Sequence, residues 1–489
     1  MTIIVLLILA GISINTLSGD NSILNKAREA KENQRGANVQ DEVTLAIDEN
    51  EIINRLNIEN SKNDRKKTKL EIIEELVAKG YLKEEEAELL ENEDIIIIGD
   101  KTIDFSKFPG TVSIDFMIAG TKVNETTPPN PDSSIFEYLT GTIDTGYVIK
   151  DKNSGNEFVW VPVDANQKIT LKVISTKEDI STIKLYDPLG VEINLGTIEG
   201  KSYNNTNIIP TINGEYKVEV TTENGTDMKN LTVRSLYAKD VFNDYIPKSL
   251  GASFDYNDPE TQEIANITNS VNTNGGFYIA RYEAGATTAR KTANINATVD
   301  SIKSENGVPT SKADEMPYGN ITQSQAKGLA ETMYPGKSFT CTLPTGAAWD
   351  RTIGWLINTN NKSFSNILSD SSDWGNYNNI SFDISSTAKY SNNGGKTYTA
   401  AGDSYTKPAV TAGVLLTTGA APTRNVSNNI YDLAGNVLEW TTERYGSKYV
   451  NRGGHYSTRG YFGPCNFRNG YGDETFTGSG IGFRAALYL

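Results

Sequence analysis

The sequence predicts an α+β multidomain chain: a long N-terminal helix, a small α+β unit, and a β-sandwich set within a larger C-terminal domain. Three observations predict it. Residues 2–56 carry apolar side chains at helical spacing, residues 168–233 alternate apolar and polar side chains between turn signals, and the chain from Asn429 onward combines short apolar runs with a Gly-, Tyr- and Asn-rich segment. At 489 residues the chain exceeds one domain, for which roughly 100–200 residues is usual.

Composition excludes several functions before any motif is considered. There are 46 basic and 61 acidic side chains, a net charge of -15, so no nucleic acid is expected as a partner: too little positive surface is available to neutralise phosphates. The one histidine, His455, excludes sites built from two or three imidazoles. Two cysteines, Cys341 and Cys465, are too few for a disulfide scaffold or a thiolate cluster and fit either a reduced compartment or one bridge.

The N-terminal element is apolar from Thr2 to Ile14. About 12 such residues make a helix of ~18 Å, short of the ~20 residues that cross a bilayer. Helical spacing continues through Ile23, Leu24, Ala27 and Ala30, and again from Val43 to Leu56. Thr2 to Lys31 resembles the start of type IV pilin-like proteins of Gram-positive type, without the basic leader and cleavage site of that family, so residue 1 is expected to lie downstream of the natural start. The resemblance implies that residues 1–60 form a helix that enters a membrane or packs against other pilin-like subunits. An ordinary amphipathic anchor is the alternative.

Residues 61–125 read as the small α+β unit. After a charged linker, Leu70 to Gly80 has one apolar helical face and a terminating glycine, Lys83 to Glu91 is an acidic helix, and Asp94 to Asp100 with Thr102 to Phe105 reads as a short buried hairpin. The prolines after Thr126 predict a stiff linker over 126–140. Strands at Lys168–Val173, Ile183–Leu185, Val191–Leu195, Glu215–Val220 and Leu231–Val233 are spaced as in an immunoglobulin-like sandwich, placed at 166–237. Further on, Thr322 with Gln325 forms a capping box, and Trp349, Ile353, Leu356 and Ile357 share one face of a helix that follows Leu343-Pro-Thr345. Residues 358–401 read as a long irregular excursion, a length that signals function or disorder.

The C-terminal motifs carry a second resemblance. Tyr431-Asp-Leu-Ala-Gly-Asn-Val-Leu-Glu-Trp440, Arg452-Gly-Gly454 and Gly482-Phe-Arg484, preceded by Phe158–Val163, Gly275–Gly285 and Leu343–Trp355, resemble in order the signatures of formylglycine-generating enzymes (sulfatase-modifying factors) and their C-type-lectin-fold relatives. This implies one such domain from residues 141–165 and 238–489, with the sandwich inserted in it. Formylglycine-forming members bind copper(I) through two cysteines, whose positions, counted without gaps, are Thr458 and Gly463 here. Members that use non-haem iron need several histidines. No catalytic residue is therefore expected, and Ser457 or Thr458 beside His455 lacks the third group that would orient an activated nucleophile. No cofactor is expected either, except that Asn436 and Glu439 offer two oxygens toward a structural calcium that takes six or more. Arg452 and Arg484 are expected to pair with Asp432 or Glu439.

The segment Gly460 to Arg468, leading into Gly480–Leu487, also resembles the variable proteins of diversity-generating retroelements, whose lectin-like surface is rewritten at adenine-containing codons. Such rewriting never yields Lys, Gln, Glu, Met or Trp from an Asn codon, and between His455 and Ser479 only Glu474 is of those types. The expected ligand surface comprises Tyr456, Tyr461, Phe462 and Tyr471 as anchors, with His455, Arg459, Asn466, Asn469 and Asp473 setting specificity, and Ser457, Thr458, Glu474, Thr475, Phe476 and Thr477 beside them. The chain then reads as a surface-displayed, membrane-anchored or pilus-associated binding protein, an adhesin or receptor for a protein or glycan on another cell or phage. A metal-dependent oxidoreductase and a structural minor pilin are the alternatives.

Overall fold

A computed structural model describes residues 23–56, 69–90, 93, 95–105, 112–118, 127–175, 179–196, 198, 200–223, 225–238 and 256–489. Residues 2–22 of the pilin-like stretch 2–31, including the apolar segment 2–14, and all of the charged linker 61–69 but its last residue lie outside them. Among the described residues no helix is long and apolar enough to cross a membrane.

The helix Ile23–Leu56 lays Val39, Val43 and Ala46 against Ile72 and Leu76 of the helix Lys69–Ala78, Leu90 of the helix Glu84–Leu90, and Ile96, Ile98 and Ile103 of the hairpin Ile95–Ile98/Lys101–Asp104. Gly36 lets the hairpin cross the helix closely: a Cβ there would sit 2.2 Å from the Ile98 carbonyl oxygen. Arg35 ties the helices by pairing with Glu32 and Glu86.

Two antiparallel sheets then face each other. One orders Ser202–Ile208, Ile169–Ser175 and Val112–Ile118; the other orders Gly225–Val233, Gly214–Thr222, Thr182–Tyr186 and Glu192–Ile193. Leu171, Val173, Leu185, Tyr216 and Val218 fill the space between them. This corrects the boundary of the small α+β unit. Val112–Ile118 pairs along its whole length with Ile169–Ser175, so it belongs to the sandwich and not to 61–125. Ser202–Ile208 escapes sequence reading because it is an Asn-rich strand with mostly solvent-facing side chains.

The largest domain is built on a six-stranded antiparallel sheet in the order Thr340–Thr342, Ala486–Tyr488, Gly276–Ala280, Glu157–Pro162, Val148–Asp151, Phe136–Thr140. Phe136–Thr140 was expected within the linker 126–140. As an edge strand it buries only Phe136, which leaves no alternation to read. The strand Glu157–Pro162 sends Phe158 and Trp160 to one core and Val159 and Val161 to the other, so both faces are covered and its apolar run is continuous. Glu157–Pro162 and Gly276–Ala280 are sheet neighbours, yet every sandwich strand except Val112–Ile118 lies between them in sequence.

Against this sheet pack the helices Gln262–Asn274 and Gly346–Asn358 and a second sheet of Tyr256–Asn257, Leu438–Tyr445, Lys448–Arg452 and Arg468–Gly472, with Ile481–Gly482 alongside. The capping box of Thr322 and Gln325 is present, and Thr345 caps Gly346–Asn358 by accepting from the Ala348 N–H.

Candidate ligand-binding surface

The segment between Arg452 and Arg468 leaves one strand and returns on its neighbour, and a buried ring of charges holds both ends. Arg452 donates to Asp350 at 2.5 Å and to Glu443 at 3.0 Å; Arg468 donates to Glu443 at 2.9 Å and also to Asp350. All four side chains are at most 3% exposed. Arg452 was expected to meet Asp432 or Glu439; it stands opposite Glu439 in the ladder, but Glu439 is held by Arg484, and the Arg452 guanidinium pairs instead with Asp350 of helix Gly346–Asn358 and with Glu443. Arg484 does pair with Glu439, through Nε at 2.5 Å and Nη2 at 2.6 Å. Asp432 instead accepts from the Gly419 N–H at 2.6 Å.

Between those ends, backbone atoms hold the loop's path. Tyr456 N–H donates to the Asn436 carbonyl (2.9 Å), the Thr458 carbonyl accepts from Asn378 N–H (2.9 Å), Gly460 N–H donates to Asn379 Oδ1 (3.2 Å), and Cys465 N–H donates to Ser371 Oγ (2.9 Å). Trp349 Nε1 donates to the Cys465 carbonyl (3.2 Å). These partners lie outside the window His455–Ser479, mostly in the excursion 358–401. That excursion is packed rather than loose: Trp374 and Tyr377 are core residues.

The fifteen expected surface residues separate into groups. Arg459, Tyr461 and Phe462 are exposed, with Tyr461 and Phe462 rings 4.7 Å apart and the Arg459 guanidinium 5.7 Å from the Tyr461 ring. Asp473, Glu474 and Thr475 form a second exposed tip, where Asp473 accepts from Thr475 N–H and Oγ1. Tyr456 and Asn466 are corrections to the expected surface: they are 7% and 0% exposed, drawn inward because the loop docks on core residues. Ser457 and Thr458 are half-buried, the first with Oγ 3.0 Å from His455 Nδ1 and the second donating to the His455 carbonyl. Phe476 packs edge-on against Trp440, Thr477 is half-buried, and Asn469 sits half-buried in the ladder opposite Asn451. The Tyr471 side chain lies outside the described ones.

Burial lowers the pKa of His455 to about 4, so the ring is neutral across pH 5–8. Its folded value lies below its unfolded one, near 6.5, so stability is lost as pH falls from about 6.5 toward 4. A shift of this size corresponds to roughly 3 kcal/mol. Urea unfolding at pH 7 and pH 4.5 is expected to differ by about 2–3 kcal/mol less in His455→Gln than in the wild type. Equal differences in the two proteins would contradict this account.

The metal chemistry of the resembling enzymes has no matching donors here. A Cβ on Gly463 would lie 3.5 Å from Thr458 Oγ1, so these two positions do face each other, but they supply one hydroxyl and no thiol. Cys465 points inward, its thiol on the Leu433 carbonyl, and Cys341 is buried in a different core on the Ala330 carbonyl. Both thiols are free, with pKa values pushed up by burial, so neither is poised as a thiolate. The two oxygens considered for calcium are committed: Glu439 to Arg484, and Asn436 Oδ1 to Asn376 Nδ2 and Leu416 N–H. Among the described residues no group of three or more His, Cys, Asp or Glu side chains is placed to hold a metal ion.

Sheet order, the glycine-rich motif at Arg452 and the buried Arg484–Glu439 pair thus come together in one domain. Residues 251–489 match the sulfatase-modifying factor enzyme 1-like domain family, FGE-sulfatase. No curated protein matches the chain. The strands between 136 and 162 precede the matched FGE-sulfatase-like region yet complete its main sheet.

Proposed function

We propose that the chain is a surface-displayed binding protein whose FGE-sulfatase-like domain presents a diversifiable patch, in the manner of diversity-generating retroelement variable proteins. In this reading a pilin-like N-terminal helix anchors or assembles the chain, and the small α+β unit and the immunoglobulin-like sandwich hold the patch away from its base. The observation that carries the reading is the support of the loop 453–467 through its backbone by residues outside the window. Side chains at 459, 461 and 462 are then free to differ without redirecting the chain, and Tyr, Phe and Arg are the residue types that dominate binding hot spots.

The test separates display from folding. Arg459→Ala, Tyr461→Ala and Phe462→Ala are each expected to change unfolding free energy by about 0.5 kcal/mol or less while reducing retention of the ligand-bearing cell or phage. Tyr456→Ala is expected to cost about 3 kcal/mol, and Gly460→Ala to destabilise as well, because its Cβ would lie 2.4 Å from Ser372 N. Comparable destabilisation in both sets would remove the basis of the proposal. The oxidoreductase reading draws on the family match alone, since the donors at 458 and 463 do not suit copper.

A further inference from the structure

Among the described side chains of the window, the exposed ones are Arg459, Tyr461, Phe462, Asp473, Glu474 and Thr475. A specific protein–protein interface takes roughly 20–30 residues a side, so a protein ligand must use ground outside the window. The adjoining ground is identifiable. Gly413 holds a left-handed φ of +70°, and a Cβ there would lie 2.1 Å from the Tyr456 carbonyl oxygen, so the backbones of the two segments touch. Just before it, Val410 is 39% exposed, and Thr411 and Ala412 are exposed as well.

One residue joins this strip to the window. Asn378 donates its backbone N–H to the Thr458 carbonyl at 2.9 Å, and its side-chain Nδ2 donates both to the Ser457 carbonyl at 2.8 Å and to the Thr411 carbonyl at 3.0 Å. The bridged acceptors are all main-chain atoms, so the link does not depend on which side chains the window carries. We infer that Asn378 is a positioning residue that locks residues 410–412 and the window into one continuous surface for a protein ligand. The inference rests on the reading of the window as the ligand surface. It adds a constant strip, Val410-Thr-Ala412, beside the changeable one, so that part of the contact is common to all variants and part is particular to each.

Hydrogen exchange on the full chain tests the lock without a ligand, and so separates its failure from failure of the binding reading, which the alanine variants test. Asn378→Asp keeps the side-chain size and removes both Nδ2 donors; Asn378→Ala removes them without adding charge. Both are expected to raise amide exchange at least tenfold in 410–413 and in 455–460. Exchange in the strands Leu438–Tyr445 and Ala486–Tyr488 and the thermal midpoint should stay as in the wild type. Unchanged exchange in either segment overturns the inference. So does loosening that spreads to both strands with a lowered midpoint, because it would make Asn378 a general stabilising residue.

Discussion

Asp350→Ala is expected to lower the stability of the FGE-sulfatase-like domain by about 3–5 kcal/mol, the usual cost of removing one partner from a buried ion pair. The substitution leaves Arg452 and Arg468 inside the protein with Glu443 as the remaining carboxylate of the ring. At about 2–4 °C per kcal/mol for a domain of 150–250 residues, the thermal midpoint should fall by roughly 10 °C. Because these arginines flank the loop, its protection from proteolysis should fall as well. Replacing all four ring members with apolar residues of similar volume should recover much of the loss, since buried charges repay little beyond their own desolvation. A midpoint within 2–3 °C of wild type for Asp350→Ala, where the expected shift is roughly 10 °C, would show that water reaches the ring.

The second large effect is a gain. Thr458→Cys combined with Gly463→Cys is expected to create a copper(I) site, because the two positions already face each other: the Gly463 Cβ position is 3.5 Å from Thr458 Oγ1. Two adjacent thiolates suit a soft monovalent ion. Under anaerobic conditions the double variant should retain about one copper(I) per chain against a competing chelator, while the wild type and each single variant release it. Equal retention by the wild type would mean that Cys465 or Cys341 leaves its core to bind metal, and would revive the oxidoreductase reading. No retention by the double variant would mean that the loop differs in path from the enzymes it resembles.

What could be read from the sequence divides along physical lines. Trp349, Ile353 and Leu356 at helical spacing, the Thr322–Gln325 capping box and the alternating strands of the sandwich each announce themselves locally, because the pattern that forms the element is contained in it. Strands Val112–Ile118 and Phe136–Thr140 are different. The assignment of Val112–Ile118 depends on a partner strand about fifty residues further on, while Phe136–Thr140 pairs across a short turn with Val148–Asp151 but buries only Phe136, which leaves no alternation to mark it. The site shows the same split. Gly and Tyr enrichment marks the window, but that Tyr456 and Asn466 turn inward while Tyr461 and Phe462 turn outward follows from where the loop docks. Asn378, Asn379 and Ser371 support the loop from a stretch rich in Asn, Ser and Gly, where nothing in composition sets a structural asparagine apart from an exposed one.

The strand Ala486–Tyr488 lies inside the main sheet, paired on one side with Thr340–Thr342 and on the other with Gly276–Ala280, although it follows the ligand window in the chain. A ribosome therefore translates residues 455–479, the segment proposed to vary, before the strand that completes the sheet. A stop codon or a shift of reading frame between 455 and 480 would delete or scramble Ala486–Tyr488 and with it the scaffold. If the segment is diversified as proposed, folding would act as its proofreader: a chain that folds has, by that fact, kept its frame through the region that was changed.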